Sequence, residues 1–178
     1  MSHTIYNTSA IVLDRVDTRE SDLTLWLLTQ DLGLVLARAQ GARKELAKMR
    51  AYLQTLGTLS VSMVRGKYEW RVTGVETICG MESELTVESR RAFARIAKFI
   101  KRMTVSDPTV ELFDLLLKVR VELQQCKDNN KINTIELLAV AKILISLGYM
   151  DAKILNNKNI TKSKLTEDVN MAINGSHL

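Results

Sequence analysis

The sequence predicts an α+β protein in which an N-terminal barrel of five short strands is followed by an all-helical lobe. Up to about residue 78, short apolar runs alternate with turn signals, as they do in strands. One stretch of helix-forming composition interrupts these runs between the third and the fourth. After Gly80, apolar residues recur at helical spacing. We therefore expect a barrel domain over residues 1–80 and a helical domain over residues 81–178.

The first three strands are apolar runs separated by polar turns. We predict them at Thr8–Val16, Leu23–Thr29 and Leu34–Gln40. The charged stretch 17–22 forms the first turn, and Gly33 supplies the positive φ of the second.

The remaining barrel elements are a helix and a hairpin. Ala42–Gln54 is rich in Ala, Arg, Lys, Glu and Leu, which predicts about three helical turns. Leu59–Val64 and Tyr68–Ile78 return to strand, joined by a tight turn at Arg65-Gly66-Lys67. Three strands, a helix and a hairpin is the element order of an OB barrel, whose strand face and loops commonly bind oligonucleotides.

The helical lobe begins with a helix that ends near Met103, capped by Thr86 or Ser83. Its apolar residues share one face, and they are Phe93, Ile96, Ala97, Ile100 and Met103. A second helix is predicted at Thr109–Gln125, with Asp107 as N-cap and Pro108 at its first position.

Two further helices are predicted towards the C-terminus. Asn133 and Glu136 form a capping-box pattern at the start of a helix over Thr134–Leu147, which Gly148 ends. The polar stretch Asp151–Lys164 reads as a loop, and Leu165–Ile173 as a last short helix.

Composition limits the compartment and the partners. The net charge of +5 and the pI near 9.3 favour polyanionic partners. The first eight residues lack a secretory apolar run, and no stretch is long enough to span a bilayer, so we expect a cytoplasmic protein without membrane contact. Cys79 and Cys126 stand far apart with no C-x-x-C pair, which predicts free thiols, no metal site and no cofactor.

Catalytic constellations are scarce. The two histidines, His3 and His177, lie near the chain ends, where neither is held as a general base would have to be. The acidic residues around the first turn resemble a solvated turn more than a metal-dependent nuclease. We predict no catalytic residue and no enzyme.

Basic residues gather around the predicted barrel. Five cations against one acid lie between Arg38 and Arg50, and further cations flank the hairpin beside Tyr68 and Trp70. Single-stranded nucleic acid is held by cations together with aromatic stacking. For Trp26 and Trp70 the barrel core is the favoured interpretation. The candidate DNA-binding residues are Arg38, Arg43, Lys44, Lys48, Arg50, Arg65, Lys67 and Arg71.

A second basic stripe follows the first helix of the lobe. Its residues are spaced to share one face, opposite the apolar residues. No acid lies between Arg90 and Arg102, so DNA or an acidic peptide tail is a suitable partner; an ordinary solvated face is the alternative. The stripe consists of Arg91, Arg95, Lys98 and Arg102.

These segments together resemble the RecO family of DNA-repair proteins. The resemblance covers residues 5–152 and rests on an ordered set of short motifs, none specific alone. The motifs are Val12-Leu13, Glu20-Ser21-Asp22, Thr29, Gly33-Leu34-Val35, Gly41-Ala42-Arg43-Lys44, Leu53-Gln54, Arg65-Gly66-Lys67, Val75-Glu76, Leu112-Phe113-Asp114-Leu115-Leu116 and Leu147-Gly148-Tyr149.

The resemblance implies an OB fold with a helical domain, and a recombination mediator as the function. Such a protein binds single- and double-stranded DNA, anneals complementary strands, and works with RecR to load RecA on DNA coated by single-strand-binding protein, whose C-terminal tail is a further implied partner. Many members carry a four-cysteine zinc module after the Leu-Gly-Tyr segment. Here Asn156–Ser163 contains no cysteine, so we expect a short form without that module.

Two other functions remain open. One is a protein-interaction adaptor whose helical lobe binds an acidic peptide tail, and the other is an RNA-binding OB protein. The preference between DNA and RNA does not follow from this sequence.

Overall fold

The apolar runs of the first half form five strands. The computed structural model describes residues 4–18, 22–40, 53–77, 85–104, 111–157 and 160–176. Its strands close into a barrel in the order β1-β2-β3-β5-β4, which confirms the predicted OB-like architecture. Their bounds are β1 Ile5–Thr18, β2 Asp22–Thr29, β3 Gly33–Ala39, β4 Thr58–Arg65 and β5 Trp70–Thr77.

The barrel interior follows from the period-two alternation of the strands, which sends every second side chain to the same face. In β2, for example, Leu23, Leu25 and Leu27 are buried in one cluster, whereas Trp26 lies between them on the other face. The interpretation of Trp26 as barrel interior is therefore wrong. The interior residues are Ala10, Val12, Leu23, Leu25, Leu27, Val35, Ala37, Ala39, Leu53, Leu59, Val61, Met63 and Val72.

The barrel closes through one long strand and one short seam. The first half of β1 pairs with β4 and the second half with β2, with a register shift between Val12 and Asp14. The closing contact between β3 and β5 is parallel and has two register pairs, Ala37 with Trp70 and Arg38 with Arg71. Arg38 and the start of β5 are therefore neighbours.

The segment before β4 is tied to the bulge in β1. Leu56, at φ 70°, donates its N–H to the carbonyl of Val12 at 2.7 Å, and Val12 donates to Gly57 at 2.9 Å. Leu53 is buried in the barrel interior. Most of the predicted helix Ala42–Gln54 lies outside the described residues, but its last two residues are not helical, because the chain turns here onto β1.

Five helices follow the barrel within the described ranges. They are α1 Val87–Met103, α2 Glu111–Gln125, α3 Asn129–Ser146, α4 Lys153–Asn156 and α5 Lys162–Gly175. Thr86 caps α1 as predicted, accepting the backbone N–H of Ser89 at 3.2 Å. The alternative cap Ser83, and Asp107, Pro108 and Thr109 before α2, lie outside the described residues.

The predicted first residues of two helices are wrong. α3 begins at Asn129, because Asp128 accepts the N–H of Asn130 at 2.8 Å and caps the chain one turn before the predicted Asn133. The predicted loop 151–164 contains α4 and the start of α5, which is capped by Thr161.

The glycine turn signals are confirmed. Gly33 has φ 65° in the turn between β2 and β3, and Gly148 has φ 78° after α3. The N–H of Tyr149 donates to the carbonyl of Leu144 at 2.8 Å, which satisfies one of the last carbonyls of α3.

The chain divides into two compact units. One contains the five strands together with residues 111–113, and the other contains α1, the rest of α2, and α3 to α5. The predicted domain boundary at residues 80 and 81 lies outside the described residues. No helix in the described ranges is long and apolar enough to cross a bilayer.

Candidate nucleic-acid interface

The β4–β5 hairpin carries most of the described cations predicted for the barrel. Its turn is closed by the N–H of Gly66, which donates to the carbonyl of Glu69 at 2.9 Å. A Cβ on Gly66 would stand 2.8 Å from the same carbonyl oxygen, so the close approach requires glycine. Arg65 and Lys67 are exposed on either side of Gly66.

Three aromatic rings accompany these cations. The rings of Tyr6 and Trp70 meet edge to face at 5.1 Å, and the Arg65 guanidinium lies 5.8 Å from the Trp70 centroid. The Lys67 ammonium lies 5.1 Å from the centroid of Tyr68, which is 88% exposed. Cations over ring faces are electrostatically favourable. We call Tyr6, Arg65, Lys67, Tyr68, Trp70 and Arg71 the hairpin surface.

The predictions for Trp70 and Tyr68 have different outcomes. Trp70 is half-buried and packs against the barrel core, in agreement with the core interpretation. Tyr68 lies in the bend before β5, so the strand begins at Trp70 and not at Tyr68 as predicted. Sequence reasoning missed Tyr6, which belongs at the same barrel end because β1 pairs Tyr6 with Met63.

Arg38 is held by carboxylates. Its Nε and Nη2 donate to one oxygen of Asp22, at 3.0 and 2.6 Å, and its Nη1 donates to Glu69 at 3.5 Å. The side chain is 17% exposed. The hydrogen bond to Asp22, together with the charges of Asp22 and Glu69, raises the pKa of Arg38 above its ordinary value. Arg71, its partner in the β3–β5 register, is exposed.

Four of the predicted DNA-binding cations lie outside the described residues: Arg43, Lys44, Lys48 and Arg50. The other four, Arg38, Arg65, Lys67 and Arg71, lie together on the hairpin and the β3–β5 seam. Sequence reasoning did not find the acids that hold Arg38, since they are 16 and 31 residues away in the chain.

The basic stripe on α1 has the predicted exposure. Arg91, Arg95, Lys98 and Arg102 are exposed, while the opposite apolar face, including Phe93, is buried. Its four members nevertheless differ. Arg95 forms a two-fold ion pair with Glu136 of α3, at 2.6 and 2.5 Å, and the Arg102 guanidinium lies 5.6 Å from the Phe99 centroid.

The pairing also affects the titration of Arg95. The hydrogen bond to Glu136 raises the pKa of Arg95, although half of the side chain is open to water. The ion pair and the ring contact described for the stripe involve Arg95 and Arg102, and not Arg91 or Lys98.

Potential metal ligands form the last group of predicted side chains. Within the described ranges, no group of three or more His, Cys, Asp or Glu side chains is placed to hold an ion. The 178 residues contain two cysteines and so cannot supply a four-cysteine site. Cys126 is a buried free thiol as predicted, and Cys79 lies outside the described residues.

The fold thus defines a class, an OB-like barrel followed by a helical lobe. The family model for the recombination protein O N-terminal domain matches residues 1–79. A DNA repair protein RecO from Dehalococcoides mccartyi is 32% identical over 122 residues, which cover 66% of this chain and 47% of the relative. Another, from Clostridium novyi, is 35% identical over 82 residues, covering 46% and 32%. Through residues 1–79, less than half of its length, the chain is similar to the RecO family.

The chain spans about half the length of the Dehalococcoides relative and about a third of the Clostridium one. Among solved structures, an asparaginyl-tRNA synthetase from Entamoeba histolytica matches 70% of this chain and 31% of its own length, at 14% identity and a TM-score of 0.32. A score this low carries no information on fold or function.

Proposed function

We propose that the chain is a DNA-binding recombination mediator in DNA repair, and that the hairpin surface holds single-stranded DNA. One observation carries the proposal, namely the placement of Arg65 and Lys67 against Trp70 and the exposed Tyr68. Single strands are bound by cations that follow the backbone and by rings on which bases stack. The matched relatives are DNA repair proteins, which agrees with this chemistry.

The proposed contacts divide by chemistry. Arg65, Lys67 and Arg71 face phosphates, and the Tyr68 ring stacks on a base. Trp70, half-buried against Tyr6, supports the hairpin and offers at most its exposed edge. The predicted cations Arg43, Lys44, Lys48 and Arg50 extend the track in the same proposal.

The more specific activities are inferred from the resemblance to the RecO family. We propose strand annealing, RecA loading with RecR, and contact with the single-strand-binding protein, for which the stripe on α1 is the candidate surface. The proposal assigns no catalytic step and no cofactor to the chain.

Fluorescence titration with a labelled single-stranded oligonucleotide tests the hairpin surface. We expect Tyr68→Ala to raise Kd by about five- to 150-fold, since a stacked base contributes roughly 1–3 kcal/mol. Lys67→Ala should lower the slope of log K against log salt by about 0.7. The matched controls, Tyr149→Ala and Lys162→Ala, change an exposed tyrosine and an exposed lysine in the helical unit. Equal losses in the controls, or no loss in either hairpin variant, would reject the hairpin surface.

A specific observation favours the adaptor as the second candidate. Arg120 of α2 lies 5.7 Å from the Phe93 ring, and burial together with the charge of Arg90 lowers its pKa. Arg90 is exposed and adds a further cation to α1, so this helix offers an acidic peptide several positive charges. Binding of an acidic peptide, with no binding of the labelled oligonucleotide, would favour the adaptor. An RNA oligonucleotide in the same titration tests the third alternative.

A further inference from the structure

Arg38 is the one described barrel cation of the predicted DNA-binding set that is mostly buried. Its Nε and Nη2 donate to the same oxygen of Asp22, and its Nη1 donates to an oxygen of Glu69 at 3.5 Å. Guanidinium–carboxylate bonds are charge-assisted and stronger than bonds between neutral groups. These bonds use three of the five N–H donors of the guanidinium, and the side chain is 17% exposed, so a phosphate would compete with two carboxylates for Arg38.

The position of Glu69 gives this ion cluster a consequence for the hairpin surface. Glu69 immediately precedes Trp70, and its backbone carbonyl closes the turn that carries Lys67 and Tyr68. Its side chain is 39% exposed, so its negative charge would act on a bound phosphate through water. Asp22 adds a second carboxylate at the same seam.

We propose that Arg38 is a charge-compensating positioning residue, whose guanidinium offsets one of the two negative charges of Asp22 and Glu69 and keeps the potential at the hairpin surface positive without contacting DNA. The inference rests on the proposed function for its ligand. Arg38, Asp22 and Glu69 together carry one net negative charge. Loss of Arg38 would leave two negative charges beside the phosphate track.

Charge-matched variants separate compensation from direct contact. Glu69→Gln and the triple variant Arg38→Gln/Asp22→Asn/Glu69→Gln both bring the cluster to zero charge, but the first retains the guanidinium. Compensation predicts that both bind single-stranded DNA with equal affinity and salt slope, and more tightly than the wild type. Arg38→Gln alone should bind about three- to tenfold more weakly than the wild type at low salt, since a charge near the track acts through Coulomb forces that salt screens.

Direct contact gives a different order. If Arg38 holds a phosphate, the triple variant binds more weakly than Glu69→Gln, with a slope lower by about 0.7. That result would overturn the inference. The comparison does not depend on whether Arg38→Gln alone folds.

A second measurement reads the potential without DNA. The chain has two tryptophans, so Trp26→Phe leaves Trp70 as the reporter beside Glu69. In that background, quenching by iodide relative to neutral acrylamide should be greatest in the two zero-charge variants, intermediate in the wild type and least in Arg38→Gln. An unchanged ratio in all four overturns compensation. The expected quenching order with equal DNA affinities leaves compensation standing and rejects the hairpin surface as the DNA site.

Discussion

Replacing Gly66 with alanine tests whether hairpin geometry matters apart from charge. The new Cβ would stand 2.8 Å from the carbonyl oxygen of Glu69, well inside the 3.4 Å at which ordinary contact begins. That oxygen belongs to the backbone and accepts the N–H of Gly66 itself, so relief of the clash lengthens the bond that closes the turn.

The cost has two parts. Weakening one backbone hydrogen bond costs about 0.5–1.5 kcal/mol, and forced overlap about 1–3 kcal/mol. Relaxation of an exposed turn favours the lower ends, so we expect about 1–2 kcal/mol less stability, and a barrel Tm lower by about 4–16 °C. Because Lys67 and Tyr68 move with the turn, DNA affinity should fall several-fold. The salt slope should stay unchanged, since no cation is removed.

Gly74→Ala is the matched control in the same hairpin. A Cβ there would meet only the Ser62 side chain, at 3.5 and 3.6 Å, which is ordinary contact. Thermal denaturation and oligonucleotide titration of both variants decide the matter. If Gly66→Ala and Gly74→Ala have the same Tm and the same DNA affinity, the argument from turn geometry is wrong.

The remaining predictions concern the helical unit. Gly148→Ala should destabilise it by about 1–2 kcal/mol in urea denaturation, because φ 78° is costly for alanine although nothing lies within 4 Å of the added Cβ; Gly175→Ala, equally open and without a positive φ, is its control. Arg91→Glu with Lys98→Glu should weaken binding of DNA or of an acidic peptide while leaving Tm nearly unchanged, since isolated exposed charges contribute little to stability. Unchanged binding of both ligands would make the stripe an ordinary solvated face.

The strands were predictable because their signals are local. Alternation in Leu23–Thr29 and Leu59–Val64 placed those strands to within one residue at either end, and Gly33 and Gly148 have the positive φ their turns required. Helix starts were harder. Asp128 and Asn133 are both residue types that cap helices, and the conformation of the chain before α3 decides between them. In the structure Asp128 accepts a backbone N–H, so α3 begins about one turn earlier than predicted.

The sequence predicts which cations lie near the barrel, but not which of them face solvent. Cations near the barrel could be read from the sequence, but whether a cation faces solvent depends on which acid the closed sheet brings beside it. Arg38 meets Asp22 through the β2–β3 pairing and Glu69 through the β3–β5 seam. Tyr6 was missed for the same reason, because its contact with Trp70 exists only once β1 and β5 flank β4.

The stripe on α1 also shows that an acid of a neighbouring element can pair with a predicted cation. Arg95 lies where α3 brings Glu136 within 2.6 Å, although the two residues are 41 apart in sequence. Lys67 stands at the tip of a hairpin, where its ammonium lies 5.1 Å from the Tyr68 centroid. A cation that lies beside a neighbouring element can thus form an ion pair with an acid of that element. A cation at the tip of a turn has no such neighbouring element beside it. Among the described barrel cations of the predicted set, Arg65, Lys67 and Arg71 are exposed and Arg38 is mostly buried, so DNA affinity should depend on those three residues more than on Arg38.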